Sequence, residues 1–135
     1  MNNEVVPGDT MSFADVLREM DIDFLVAGEY GITVEDAARF LDHDHFMFLD
    51  VRTDEEHNHL SFPFAVHIPL KDLPDRVYEL PRDKFIITLC TSGFRAAMAY
   101  AFLRTDGFIE VKALQGRLDQ LAGVMTPGRF YRLAS

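Results

Sequence analysis

Two short segments of the chain, 46–51 and 85–89, are apolar at nearly every position. A strand covered by helices on both faces shows this pattern, because neither of its sides meets water. Around these segments the period changes. Phe13, Val16, Leu17 and Met20 recur at helical spacing, which predicts a buried stripe on a helix starting at Ser12 and Asp15. Val34, Ala37, Ala38 and Leu41 repeat the spacing behind Thr33, with Asp36 three residues on. Thr53, Asp54, Glu55 and Glu56 form a capping box that opens a short helix. Residues 65–68 read as a strand stopped by Pro69. Residues 72–80 read as a short helix with Pro74 in its first turn. An Ala- and Leu-rich helix follows at 95–104, stopped by Gly107, and then a last strand at 109–114. Leu118 and Leu121 suggest one more short helix. Residues 1–10 read as a loose arm. Gly28 and Gly31 break the chain, so an N-terminal extension (1–30) is set off from a main domain (31–124) and a tail (125–135). Strands alternating with helices favour a parallel sheet with helices on both faces. Ligands of such sheets bind at the carboxyl ends of the strands.

Composition narrows the class. The 135 residues are 48% apolar and include 12 Phe, enough to fill one domain core, which excludes a disordered chain and a disulfide-stapled mini-domain. No apolar run reaches the ~20 residues of a membrane helix, and the N-terminus has no basic stretch or apolar signal core. Lys and Arg number 13 against 22 Asp and Glu, a formal charge of -9. Nucleic acid and anionic membranes are repelled at long range, so neither is expected as a partner. The one cysteine, Cys90, has no partner for an intrachain disulfide and fits a reducing cytoplasm, the expected location.

Cys90 closes the second buried strand and is followed by Thr91, Ser92, Gly93, Phe94 and Arg95 before the helix. The loop's backbone N–H groups can curl around an anion, with Gly93 free to take a positive φ. The helix presents its positive N-terminus to the same spot, and Arg95 adds a permanent charge. All three favour a thiolate, which is the nucleophilic form. A lone buried cysteine is often only a small hydrophobe. Its place at a strand-to-helix corner, ahead of Gly and Arg, favours the reactive reading.

The chain here resembles the rhodanese-like domain family. The residues that carry the resemblance are the Cys-x-x-Gly-x-Arg loop from Cys90 to Arg95, Leu49-Asp50-Val51-Arg52 with Glu55-Glu56, Val66-His67-Ile68-Pro69-Leu70, and Gly107-Phe108 leading to Leu114-Gln115-Gly116. The resemblance implies a three-layer α/β/α fold around a five-stranded parallel sheet. It also implies sulfur transfer without a cofactor, through a persulfide on Cys90, from a small donor such as thiosulfate or a persulfide to cyanide, a thiol or a sulfur-accepting protein. In that scheme the N–H groups of Ser92 to Arg95 hold the persulfide, Arg95 orients the donor, and Asp50 and Arg52 support the loop from behind. A phosphatase or arsenate reductase of the related cell-cycle phosphatase kind is the alternative enzyme, but those relatives have one more residue between Cys and Arg. A non-catalytic binding module on the same fold is the other alternative; the presence of both Cys90 and Arg95 speaks against it. The chain departs from the family at Ser61 and Phe64, where His and Gly are common, and at Arg117, where a second Gly is usual. Arg117 is expected near the pocket mouth, either steering anions or decorating the surface.

His43, His45, His57, His59 and His67 include two His-x-His pairs, but the second falls in a short helix and would diverge, so surface histidines are expected and no metal site. The N-terminal helix, with Met11, Phe13, Met20 and Phe24 nearby, can pack on its own domain, on a second copy to form a homodimer, or on a partner. Packing on its own domain is favoured.

Overall fold

The two segments without a polar face become neighbouring central strands. The computed structural model describes residues 10–117 together with 119 and 120. Its strands are β1 (Gly31–Thr33), β2 (Phe46–Asp50), β3 (Ala65–His67), β4 (Phe85–Leu89) and β5 (Val111–Gln115). They form one sheet in the order β1-β5-β4-β2-β3, with every pair parallel. Side chains alternate across the pleat, so Leu49 and Ile86 go to one face and Phe48 and Ile87 to the other. On the first face lies α6 (Phe94–Thr105), which contributes Ala96, Ala99, Tyr100 and Leu103 to the core. On the second lies α3 (Val34–Ala38), with Val34, Ala37, Ala38 and the following Leu41. This is the three-layer α/β/α arrangement expected.

The extension docks on its own domain. α1 (Phe13–Arg18) buries Val16 completely. Met11 N–H donates to the Thr105 carbonyl at 3.1 Å, and Arg104 grips both oxygens of Glu19 at 3.0 and 2.7 Å. The expected stripe is narrower than its spacing implies: Phe13 and Leu17 are 53% and 50% exposed, because a six-residue helix meets α6 along one edge. A second helix, α2 (Ile22–Ala27), is capped by Asp21 and closed by Gly28 at φ 67, in a stretch the apolar pattern leaves unassigned.

Three other elements differ from expectation. β1 is only three residues long, too short to show a period, and takes its place by pairing with β5 at the sheet edge. Segment 72–80 is a 3-10 turn (Leu70–Asp72), one turn of α-helix, α5 (Leu73–Arg76), and a second 3-10 turn (Val77–Glu79), rather than a continuous helix. β5 starts at Val111 instead of 109, since Val111 N–H turns back to the Ile109 carbonyl and leaves Ile109 42% exposed. The expected helix at Leu118 and Leu121, the tail 125–135 and nearly all of the arm 1–10 lie outside the described residues. Among the described residues no helix is long and apolar enough to cross a membrane.

The topology picks out one spot. From β4 the chain passes through α6 to β5 on one side. From β2 it passes through α4 (Asp54–His59) to β3 on the other. Where neighbouring strands send their connections apart, a crevice opens at their carboxyl ends. Cys90 follows β4 there, and Val51 and Arg52 follow β2.

Candidate active site

The loop leaving β4 folds back over its own sulfur. Cys90 is 2% exposed, and its Sγ accepts hydrogen bonds from Gly93 N–H at 3.1 Å and Ala96 N–H at 3.2 Å. Gly93 sits at φ 99. A Cβ there would meet only the Leu114 carbonyl, at 3.9 Å, so the backbone conformation rather than lack of space calls for glycine. The Ala96 N–H belongs to the first turn of α6, where helical N–H groups have no partner within the helix. It lies one residue beyond the N–H groups the sequence singled out. Behind it, the buried Thr88 donates its hydroxyl to the Ala96 carbonyl at 2.8 Å, tying the start of α6 to β4. Nothing in the sequence pattern marks Thr88 for that role.

Arg95 is not a free cation. Its Nη1 and Nη2 donate to the two oxygens of Glu56 at 2.5 and 2.9 Å, and Nη2 also reaches Thr91 Oγ1 at 3.2 Å. Thr91 in turn donates to Glu56 Oε2 at 2.7 Å. The same carboxylate accepts from Thr53 N–H at 3.1 Å, closing the capping box of α4. One side chain therefore joins the start of α4 to the loop of Cys90. The Arg95 guanidinium holds the Glu56 carboxyl far below the usual carboxylate range, and Glu56 raises Arg95 in return, with smaller pulls from Cys90 and Asp50. The sequence marks Glu56 as a helix cap and as part of the family resemblance, without this link to Arg95.

Asp50 and Arg52 lie behind this pair, both buried. Arg52 donates through Nε and Nη2 to the Asp50 carboxylate at 3.0 and 2.7 Å, and to the carbonyls of Glu56 and Leu60 at 3.3 and 2.6 Å. The guanidinium thus clamps α4, the helix that carries Glu56. His67 Nε2–H donates to the Arg52 carbonyl at 2.8 Å, and the His57 ring stacks on His67 at 4.0 Å. His45 pairs with Glu110 at 3.0 Å. Ser92 and Phe94 point outward, Phe94 by 72%. Arg117 faces Asp119 at 3.3 Å on the surface. It is not among the residues lining the cavity of about 320 Å³ that meets the loop at Arg95, whose walls are Val51, Thr53, Pro69, Leu70 and Lys71.

Two backbone N–H groups thus converge on the sulfur of Cys90. Known proteins are similar to this chain in sequence and in fold. A sulfurtransferase from Allochromatium vinosum is 32% identical over 78 residues, 58% of this chain and 73% of that protein. The crystal structure of a rhodanese-like domain protein from Staphylococcus aureus superposes with a TM-score of 0.62 at 26% identity, covering 67% of this chain and 89% of that one. A human single-domain sulfurtransferase gives a TM-score of 0.61 over 72% of this chain and 98% of its own; at 18% identity that likeness is one of fold alone. The family model for the rhodanese-like domain matches residues 33–122, and the chain belongs to that family.

Proposed function

We propose that the protein moves a sulfane sulfur from a donor such as thiosulfate or a persulfide to a thiol or cyanide through a persulfide on Cys90. The observation that carries this reading is the pair of N–H groups, from Gly93 and Ala96, directed at Cys90 Sγ. The Cys90 thiolate attacks the outer sulfur of the donor. A new S–S bond forms to Cys90, the donor's S–S bond breaks, and its electron pair leaves with sulfite when the donor is thiosulfate. The acceptor then attacks the outer sulfur of the persulfide and returns Cys90 to thiolate, a covalent, two-step exchange. The donors of the loop are in place beforehand, so charge on sulfur is met without reorganisation. Thr91, Ser92, Gly93 and Phe94 form the cradle. Arg95, held by Glu56, fixes its far side, and Asp50 and Arg52 hold the helix that carries Glu56. A reducing compartment such as the cytoplasm, the location we propose, keeps Cys90 a free thiol.

The test is turnover with thiosulfate and cyanide beside hydrolysis of an aryl phosphate. Wild type should form thiocyanate, Cys90→Ser should fall to background with its fold intact, and neither should release phosphate. A Cys90-dependent phosphatase without sulfur transfer would replace this reading with the alternative enzyme. Loss of neither activity in Cys90→Ser would remove Cys90 from the chemistry.

A further inference from the structure

Ten large apolar side chains are exposed among the described residues, and five of them, Phe13, Leu17, Ile22, Leu25 and Val26, lie on α1 and α2. Phe13 and Leu17 share one face of α1, and Ile22, Leu25 and Val26 share one face of α2, by their spacing of three and four residues. The opposite faces are already used: Val16 is fully buried, and Phe24 packs against the core. Apolar residues scattered singly over a surface need no explanation, whereas a cluster marks a docking face. Its rim is acidic. Between residues 13 and 26 stand four acidic side chains and one basic one. Arg18 is taken by Asp15 at 2.7 Å, and Glu19 by Arg104. Asp21 caps α2, and neither it nor the exposed Asp23 has a cation beside it among the described residues. A second copy docked through the same patch would set this acidic rim against itself.

Residues 121–135 lie outside the described residues, and their sequence has the complementary character. In a chain of net charge -9 they hold Arg129 and Arg132, no acidic side chain, and Phe130, Tyr131 and Leu133 around the two arginines. The described chain also leads to the right place. Gln115 at the end of β5 lines one cavity of about 520 Å³ together with Ala27 and Gly28 at the end of α2. The Gln115 side chain fills the space that a Cβ on Gly31 would need. Five residues after Gln115, Gln120 N–H donates to the Arg117 carbonyl at 3.0 Å. Fifteen further residues reach up to about 50 Å when extended, ample for α1 and α2.

We infer that residues 121–135 of the same chain dock on the outer face of α1 and α2. Phe130, Tyr131 and Leu133 cover Ile22, Leu25 and Val26, and Arg129 and Arg132 meet Asp21 and Asp23. This contact joins the carboxyl end of the sheet to the N-terminal extension and adds to Val16 and the Arg104–Glu19 pair in holding that extension on the domain. Sulfur transfer takes no part in it.

The test is disulfide trapping in the full chain, with Cys90→Ser as background so that only introduced thiols react. Ala134→Cys is combined with Ala27→Cys on α2 or, as control, with Leu60→Cys, an exposed position before β3 at the far edge of the sheet. Oxidised glutathione drives the reaction, and intact mass follows it. The disulfide should form within one chain, at least about tenfold faster with Ala27→Cys than with Leu60→Cys, because docking raises the local thiol concentration. Arg129→Glu with Arg132→Glu should slow the Ala27→Cys pair by about fivefold, and adding Asp21→Arg with Asp23→Arg should restore it. High salt should slow the unreversed chain in the same direction. Ile22→Ser with Val26→Ser should slow it as well. Equal rates at the two positions, or a rate that neither the charge reversal nor the serine pair moves, would overturn the inference. A disulfide that links two chains would overturn it too and assign the face to a second copy.

Discussion

Glu56 shares one carboxylate among Thr53 at the start of its own helix and Thr91 and Arg95 in the loop of Cys90. Glu56→Gln keeps the shape, removes the charge and leaves Arg95 unopposed. Thiosulfate turnover should drop, because the loop loses its tie to α4. The pH dependence of stability reads the contribution of the Glu56 charge. Arg95 depresses the folded Glu56 value, so the folded state releases this proton more readily than the unfolded chain does. The stability it contributes is fully present above the ordinary glutamate value of 4.5 and fades as pH falls below that toward the folded value. In urea titrations, the stability gap between wild type and Glu56→Gln should be constant near neutrality and narrow steadily below pH 4.5. A gap that does not change with pH would mean that the charge of Glu56 adds nothing to the stability of the fold. The capping role was legible because Thr53 and Glu56 are three residues apart. The Arg95 role was not, since the two side chains meet across 39 residues of chain only once β2 and β4 have paired.

At the scale of elements, the active loop depends on two anchors, Thr88 under α6 and Arg52 under α4. Arg52 is 2% exposed, and its charge is met by Asp50 and two carbonyls. Removing one partner of such a buried pair leaves the other charge stranded, at a cost of about 3–5 kcal/mol. Arg52→Ala should lower unfolding stability by that amount in urea titration and lose sulfur transfer with it; a loss under about 1 kcal/mol would show that Asp50 is compensated by other means. β2 and β4 were readable from sequence because burial on both faces leaves a continuous apolar run. β1 escaped because three residues carry no period and its partner, β5, lies some eighty residues away. Residues 70–79 misled because Pro74 suits a first helical turn, yet a 3-10 turn precedes that turn and another follows it.

For the whole molecule, the order of elements carried the fold class, and the crevice between β2 and β4 follows from where their connections part. The docking of α1 on α6 was foreseen in kind but not in detail: one fully buried Val16 and the Arg104–Glu19 pair hold it, and Phe13 and Leu17 stay outside. Helical spacing shows which residues share a face; it does not show how wide a strip the neighbouring helix covers. The proposed reaction carries its sulfur on the single thiol of the chain, so the mass of the intact protein reads it directly. Wild type incubated with a sulfane-sulfur donor and freed of excess should gain the mass of one sulfur atom, and cyanide should remove it with release of one thiocyanate per chain. Cys90→Ser should gain nothing. A wild-type protein whose mass stays unchanged with every donor, or a Cys90→Ser variant that gains the same sulfur, would contradict a Cys90 persulfide.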